Sequence, residues 1–168
     1  MDSKSDVGST NQLVADLESL SNKFAEAHSE ARWLWRSGKI LRGGWVPWEV
    51  QVNNAAPASL IWKAEAESVT CVAPGLYVVQ VGIFTMNASS VQVCVNGEPV
   101  VSLDPNHDVS SVVGGGPLEY VKRRHRHTAG DITSVLVDEV MALPPNAVVG
   151  VRFDSGTRAQ GFLSVRKL

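Results

Sequence analysis

Cysteine is scarce in this chain: Cys71 and Cys94 are the only two among 168 residues. Two thiols cannot build the disulfide framework of a small secreted scaffold, nor a zinc site on their own. Long apolar runs are absent too. None approaches the ~18 residues a membrane helix needs, and mean hydropathy is +0.00, so no membrane span is expected. The opening residues MDSKSDVGST lack the apolar stretch of a signal peptide, which sets a cytoplasmic expectation with secretion as the alternative. Charge of one sign is missing as well. A net charge of −2 excludes a surface that coats nucleic acid, and no nucleic-acid partner is expected.

Catalytic signatures are also lacking. There is no G-x-S-x-G nucleophile elbow and no H-E-x-x-H metal helix. Gly114-Gly115-Gly116 is not followed by Lys-Ser or Lys-Thr, so it reads as a loop tip and not a phosphate cradle. An enzyme is not expected, nor any cofactor. Asp104, Asn106 and Asp108 space their oxygens like the start of a calcium loop, but Val109 and Gly115 stand where such a loop needs glycine and glutamate. That segment reads better as a polar turn.

What is present falls into two grammars. Leu13, Leu17, Leu20, Phe24, Ala27, Ala31 and Leu34 recur at alternating spacings of 4 and 3, a heptad seam that predicts a coiled-coil helix over 9–37. Ser9 and Gln12 stand at capping-box spacing, and Gly38 supplies a C-cap. The competing reading is one amphipathic helix packed on its own domain. Beyond Gly38 short β-branched and aromatic runs predict strands at Trp45–Val52, Ser59–Ala66, Ser68–Cys71, Leu76–Met86, Val91–Val95, Pro99–Leu103, Leu118–His127, Ile132–Leu143, Val148–Phe153 and Gly161–Lys167. Asn96-Gly97 marks a two-residue hairpin turn. Strands without intervening helices predict antiparallel β, sandwich or jelly roll. In Leu76–Phe84 the residues Tyr77, Val79, Val81 and Ile83 share one face; Leu76, Val78, Gly82 and Phe84 share the other. Both faces should therefore be covered.

Several runs are specific enough to carry a resemblance. Val69-Thr70-Cys71-Val72-Ala73-Pro74-Gly75-Leu76-Tyr77-Val78-Val79 resembles the F-x-C-x-x-P-G-x-Y-x-F strand entry of C1q/TNF-like jelly rolls. Val93-Cys94-Val95-Asn96-Gly97-Glu98 is similar to that family's strand-then-N-G hairpin, and Gln160-Gly161-Phe162-Leu163-Ser164-Val165 to its terminal strand. Ser134–Val137 and Val148–Val151 resemble its paired late strands. The chain departs from the pattern at Val69, Val79 and Val165, which replace family aromatics, and between Pro105 and Thr128, which is longer and more polar.

The resemblance implies an all-β antiparallel jelly roll over 59–168, preceded by a polar tail (1–8), the coiled-coil helix (9–37) and a tryptophan-rich junction with a first strand (38–58). It also implies a homotrimer. The resulting reading is a trimerisation and multivalent protein-binding module in the C-terminal part of a larger protein. The alternatives are a secreted C1q/TNF-like ligand or pattern-recognition protein, and a viral or structural surface jelly roll.

Three further features bear on partners. Lys122, Arg123, Arg124, His125, Arg126 and His127 form a basic run; without its four Lys and Arg charges the net charge of −2 would be −6. It reads as a patch for acidic partners, an acidic protein, glycosaminoglycans or phosphates, or as a solvated edge strand. All five tryptophans, Trp33, Trp35, Trp45, Trp48 and Trp62, lie within thirty residues. With Tyr77 they suggest a collar between helix, domain and neighbouring subunits, or an exposed partner patch. Asn87-Ala88-Ser89 is a glycosylation sequon, and a Cys71–Cys94 bond is possible only between adjacent strands.

Overall fold

Period-two alternation of buried and exposed residues organises the chain from residue 30 onward. The computed structural model describes residues 12, 14–19, 30–86, 89–103, 121–127, 130–154 and 159–168, with side chains outside 121–134. Eleven strands occur among them: β1 Glu30–Trp35, β2 Val50–Asn54, β3 Leu60–Ile61, β4 Ser68–Cys71, β5 Gly75–Thr85, β6 Ser90–Val95, β7 Glu98–Leu103, β8 Val121–His127, β9 Gly130–Leu143, β10 Ala147–Asp154 and β11 Ala159–Lys167. They form two antiparallel sheets, ordered β2-β1-β11-β5-β9-β8 and β3-β4-β10-β6-β7. The architecture is an antiparallel jelly-roll sandwich, as expected.

The inner faces supply the core. Tyr77, Val79, Val81 and Ile83 of β5 meet Val149, Val151 and Phe153 of β10 within one buried cluster. Asn96 (φ 53) and Gly97 (φ 84) close the β6–β7 hairpin, both with the positive φ that a two-residue turn requires.

The largest correction is at the N-terminus. Residues 30–35, assigned by the heptad pattern to the end of a helix, form β1, paired along its length with β11. Ala31, Trp33 and Trp35 face the core while Arg32 and Leu34 lie on the other face. The heptad seam runs on into this stretch because β1 carries apolar residues on both faces, Ala31 inward and Leu34 outward. Trp33 and Trp35, which no single helical seam can accommodate together, share one face of a strand. The sandwich therefore begins at Glu30 and not at 59. Helical residues are described at 12 and 14–19, where Val14 and Leu17 are exposed; Leu13, Leu20, Phe24 and Ala27 lie outside the described residues.

Two expected strands are shorter or shifted. Trp45–Val52 resolves into an isolated bridge at Trp45 and β2 beyond Pro47, because proline has no N–H to give a ladder. Ser59–Ala66 contracts to Leu60–Ile61. Gly38 keeps a positive φ of 73°, but it follows a strand and caps no helix. The stretch 36–49 crosses from β1 to the other sheet. Val46 N–H donates to Val151 O at 2.9 Å, Phe153 N–H to Gly44 O at 2.8 Å and Trp48 N–H to Ala66 O at 3.0 Å.

Candidate functional site

Three of the five tryptophans, Trp33, Trp35 and Trp48, are core and not collar. Trp33, Trp35, Trp48 and Tyr77 have no exposed surface at all in the single chain, so no partner can touch them. Trp35 meets Phe153 edge-on at 5.7 Å and donates through Nε1 to Lys39 O at 2.9 Å. Trp33 lies 6.4 Å from half-buried Trp62 and donates to Gln51 Oε1 at 3.2 Å. The Tyr77 hydroxyl donates to Ala73 O at 2.7 Å. Trp45 differs: half-buried, it lies on the outer face of the five-stranded sheet beneath the Arg152 guanidinium, 4.4 Å from its ring centroid.

The outer face of the six-stranded sheet is the principal exposed apolar feature. Register places Val50, Leu34, Phe162, Gly82 and Leu136 in one row across five neighbouring strands, with Val121 of β8 opposite Leu136. Phe162 lies against Gly82, where any side chain would collide with its ring. Val50, Phe84, Leu136, Leu76 and Val140 are 39–59% exposed. A parallel polar row carries Arg32, Ser164, Gln80 and Asp138, with Gln80 Nε2 donating to Asp138 Oδ2 at 3.1 Å. Sequence alternation marked β5 as apolar on both sides. The assembly of five strands into one row was beyond it, since register is not written in a single strand.

The basic run occupies β8, an edge strand paired on one side with β9. Asp104, Asn106, Asp108 and Asn87 lie outside the described residues. No group of three or more potential metal ligands occurs among the described residues. Nor is any described helix long and apolar enough to cross a membrane.

Cys71 and Cys94 are both buried and free. They sit on β4 and β6, which flank β10 on opposite sides, opposite Ala147 and Gly150, so the fold keeps the two thiols apart. Burial pushes the Cys71 thiol up to about 12. Burial likewise raises Cys94, against the pull of the Arg152 charge. Glu49 ties off the chain after β1: its Oε2 accepts from Arg36 N–H at 2.8 Å and Ser37 N–H at 3.0 Å. Partial burial raises its pKa, but these hydrogen bonds, that of the Ser37 side chain and the Lys39 charge outweigh it and hold the carboxyl below 4.5.

Comparison with known proteins agrees with this architecture. The globular domain of zebrafish complement 1qA protein superposes with a TM-score of 0.57 at 13% identity, covering 82% of this chain and 94% of that one. Eiger TNF of S. frugiperda gives 0.50 at 14%, covering 84% and 93%. At such identities the likeness is one of fold. No curated protein sequence matches. Residues 30–168 match the family described as "Domain of unknown function (DUF8789)", and the chain belongs to that family.

Proposed function

We propose that this chain is a non-catalytic recognition domain of C1q/TNF type, working as a homotrimer whose subunits meet through the outer face of the six-stranded sheet. The observation that carries this is the apolar row of exposed Val50 and Leu136 and half-buried Leu34 and Phe162, flanked by exposed Phe84 and Val140. Contiguous apolar surface of this kind is rare on monomers and marks an interaction site. Covering the apolar area these side chains still expose contributes about 25 cal/mol per Å² removed from water. The fold likeness to complement 1qA and Eiger TNF supports a ligand or pattern-recognition role over that of a tethering module inside a larger protein, and with it the secreted alternative. Three copies would present three weak sites to one multivalent partner, with the basic β8 run as the surface for an acidic one.

Light scattering at micromolar concentration is expected to give three times the 18.1 kDa chain mass, and Phe84→Asp with Leu136→Asp to give a folded monomer. A monomeric parent chain overturns the assembly and the avidity that depends on it.

A further inference from the structure

At the far end of the five-stranded sheet, on its outer face, four side chains form a two-by-two array. Register sets Arg152 of β10 opposite Gln92 of β6, and Asp154 opposite Ser90. Neighbours across strands stand ~5 Å apart and those along a strand ~7 Å. Together with Gly43, Gly44 and Phe153 they line a cleft of about 350 Å³. The stretch carrying Gly43 and Gly44 closes one wall, held against β10 by the Phe153-to-Gly44 hydrogen bond and the Trp45–Arg152 bridge.

Among the described residues the cation in this cleft is held but not neutralised. Trp45 stacks on the Arg152 guanidinium at 4.4 Å, and Arg152 Nε is buried with no hydrogen-bond partner. No ion pair or hydrogen bond among the described residues reaches the guanidinium, although Asp154 lies only two positions away on the same face. A ring face orients a guanidinium plane while leaving its N–H edge to bind elsewhere. Gly150 is part of the same construction: a Cβ there would stand 2.8 Å from Trp45 Cζ3, so the missing side chain lets Trp45 lie flat under Arg152.

We propose that this cleft binds the carboxylate of an acidic monosaccharide, of the uronic or sialic acid class. The Arg152 fork matches a carboxylate. Gln92 and Ser90 each donate and accept, as sugar hydroxyls require, and Asp154 accepts only. The Asp154 charge also disfavours a dianion such as a phosphate monoester, which would carry a second negative charge to within reach of it. The array has the footprint of a single pyranose ring. This inference does not depend on the assembly state of the chain. A single shallow site of this kind is expected to bind with Kd on the order of 1 mM.

The test is titration of the full chain with sodium glucuronate and with N-acetylneuraminate, followed by calorimetry and total tryptophan fluorescence, with glucose, acetate and a glutamate-containing peptide as comparators. Saturable binding of at least one acidic sugar is expected, at least tenfold tighter than acetate or glucose. Arg152→Leu should abolish it. Gln92→Ala should weaken it several-fold with unchanged melting temperature, which keeps the test decisive if Arg152→Leu fails to fold. Absence of saturation at ~50 mM, about fifty times the expected Kd, overturns the proposal. So does equal binding of acetate or of the peptide, or a Gln92→Ala variant that binds like the parent.

Discussion

Gly150 and Cys71 show how single atoms are constrained in this sandwich. Any β-carbon at Gly150 would stand 2.8 Å from Trp45 Cζ3 and 3.1 Å from Glu67 O, and the backbone oxygen cannot move aside. Gly150→Val should destabilise the fold by about 1–3 kcal/mol, the range for overpacking, with the urea midpoint shifted down. Cys71 contributes a pH dependence. Its thiol is raised to about 12 in the fold, above the ~8.5 of an unfolded thiol. The unfolded chain therefore loses its proton first as pH rises. The contribution of Cys71 is fully present below pH ~8.5 and falls away as pH climbs toward 12. Cys71→Ala should flatten the decline in stability over that alkaline window, measured by urea midpoints at stepped pH. Below pH 8 the folded thiol should resist iodoacetamide until denaturant is added.

At the scale of strands and sheets, β1 is the instructive case. The heptad spacing through Ala31 and Leu34 predicts helix, but the stretch is a strand because β11 offers it a complete antiparallel partner. Local periodicity could not register that offer, because β11 lies more than a hundred residues away in sequence. The strands from Ser68 on were legible, since alternation and the turn residues Asn96-Gly97 are local signals. The candidate surfaces were less so. The basic run was visible at once, whereas the Arg152 cleft depends on cross-strand register and on a loop folding back over β10. The outer sheet face carries a charge arrangement of its own, with Arg32 on β1 and Asp138 on β9, three strands apart in one row. A second copy laid on this face can match opposite charges only in certain registers. Arg32→Glu or Asp138→Arg should each weaken assembly several-fold in analytical ultracentrifugation, and the double variant should recover most of it. Lack of recovery would locate the two residues away from any mutual contact while leaving the apolar row as the assembly surface.

For the whole molecule, the sandwich and the family match both begin at Glu30. A chain starting there should therefore keep its melting temperature within ~2 °C, since no described strand or core residue is removed, and should keep its oligomeric state if the sheet face drives assembly. Loss of assembly in that truncated chain would return the role to the N-terminal heptads. The opening scarcity of cysteine holds at this scale: both thiols are buried and free, on strands that β10 separates. By itself the sequence determined the class of architecture, the order of the later strands and the hairpin turns, because each rests on alternation or turn chemistry within a few residues. Only the tertiary structure decided that the N-terminal heptad ends in a strand, that Trp33, Trp35 and Trp48 are core, and that scattered apolar and polar residues line up into one face and one cleft. Those outcomes depend on pairing and register between distant segments, where the free energy of burial is shared across the chain and written in no single stretch of it.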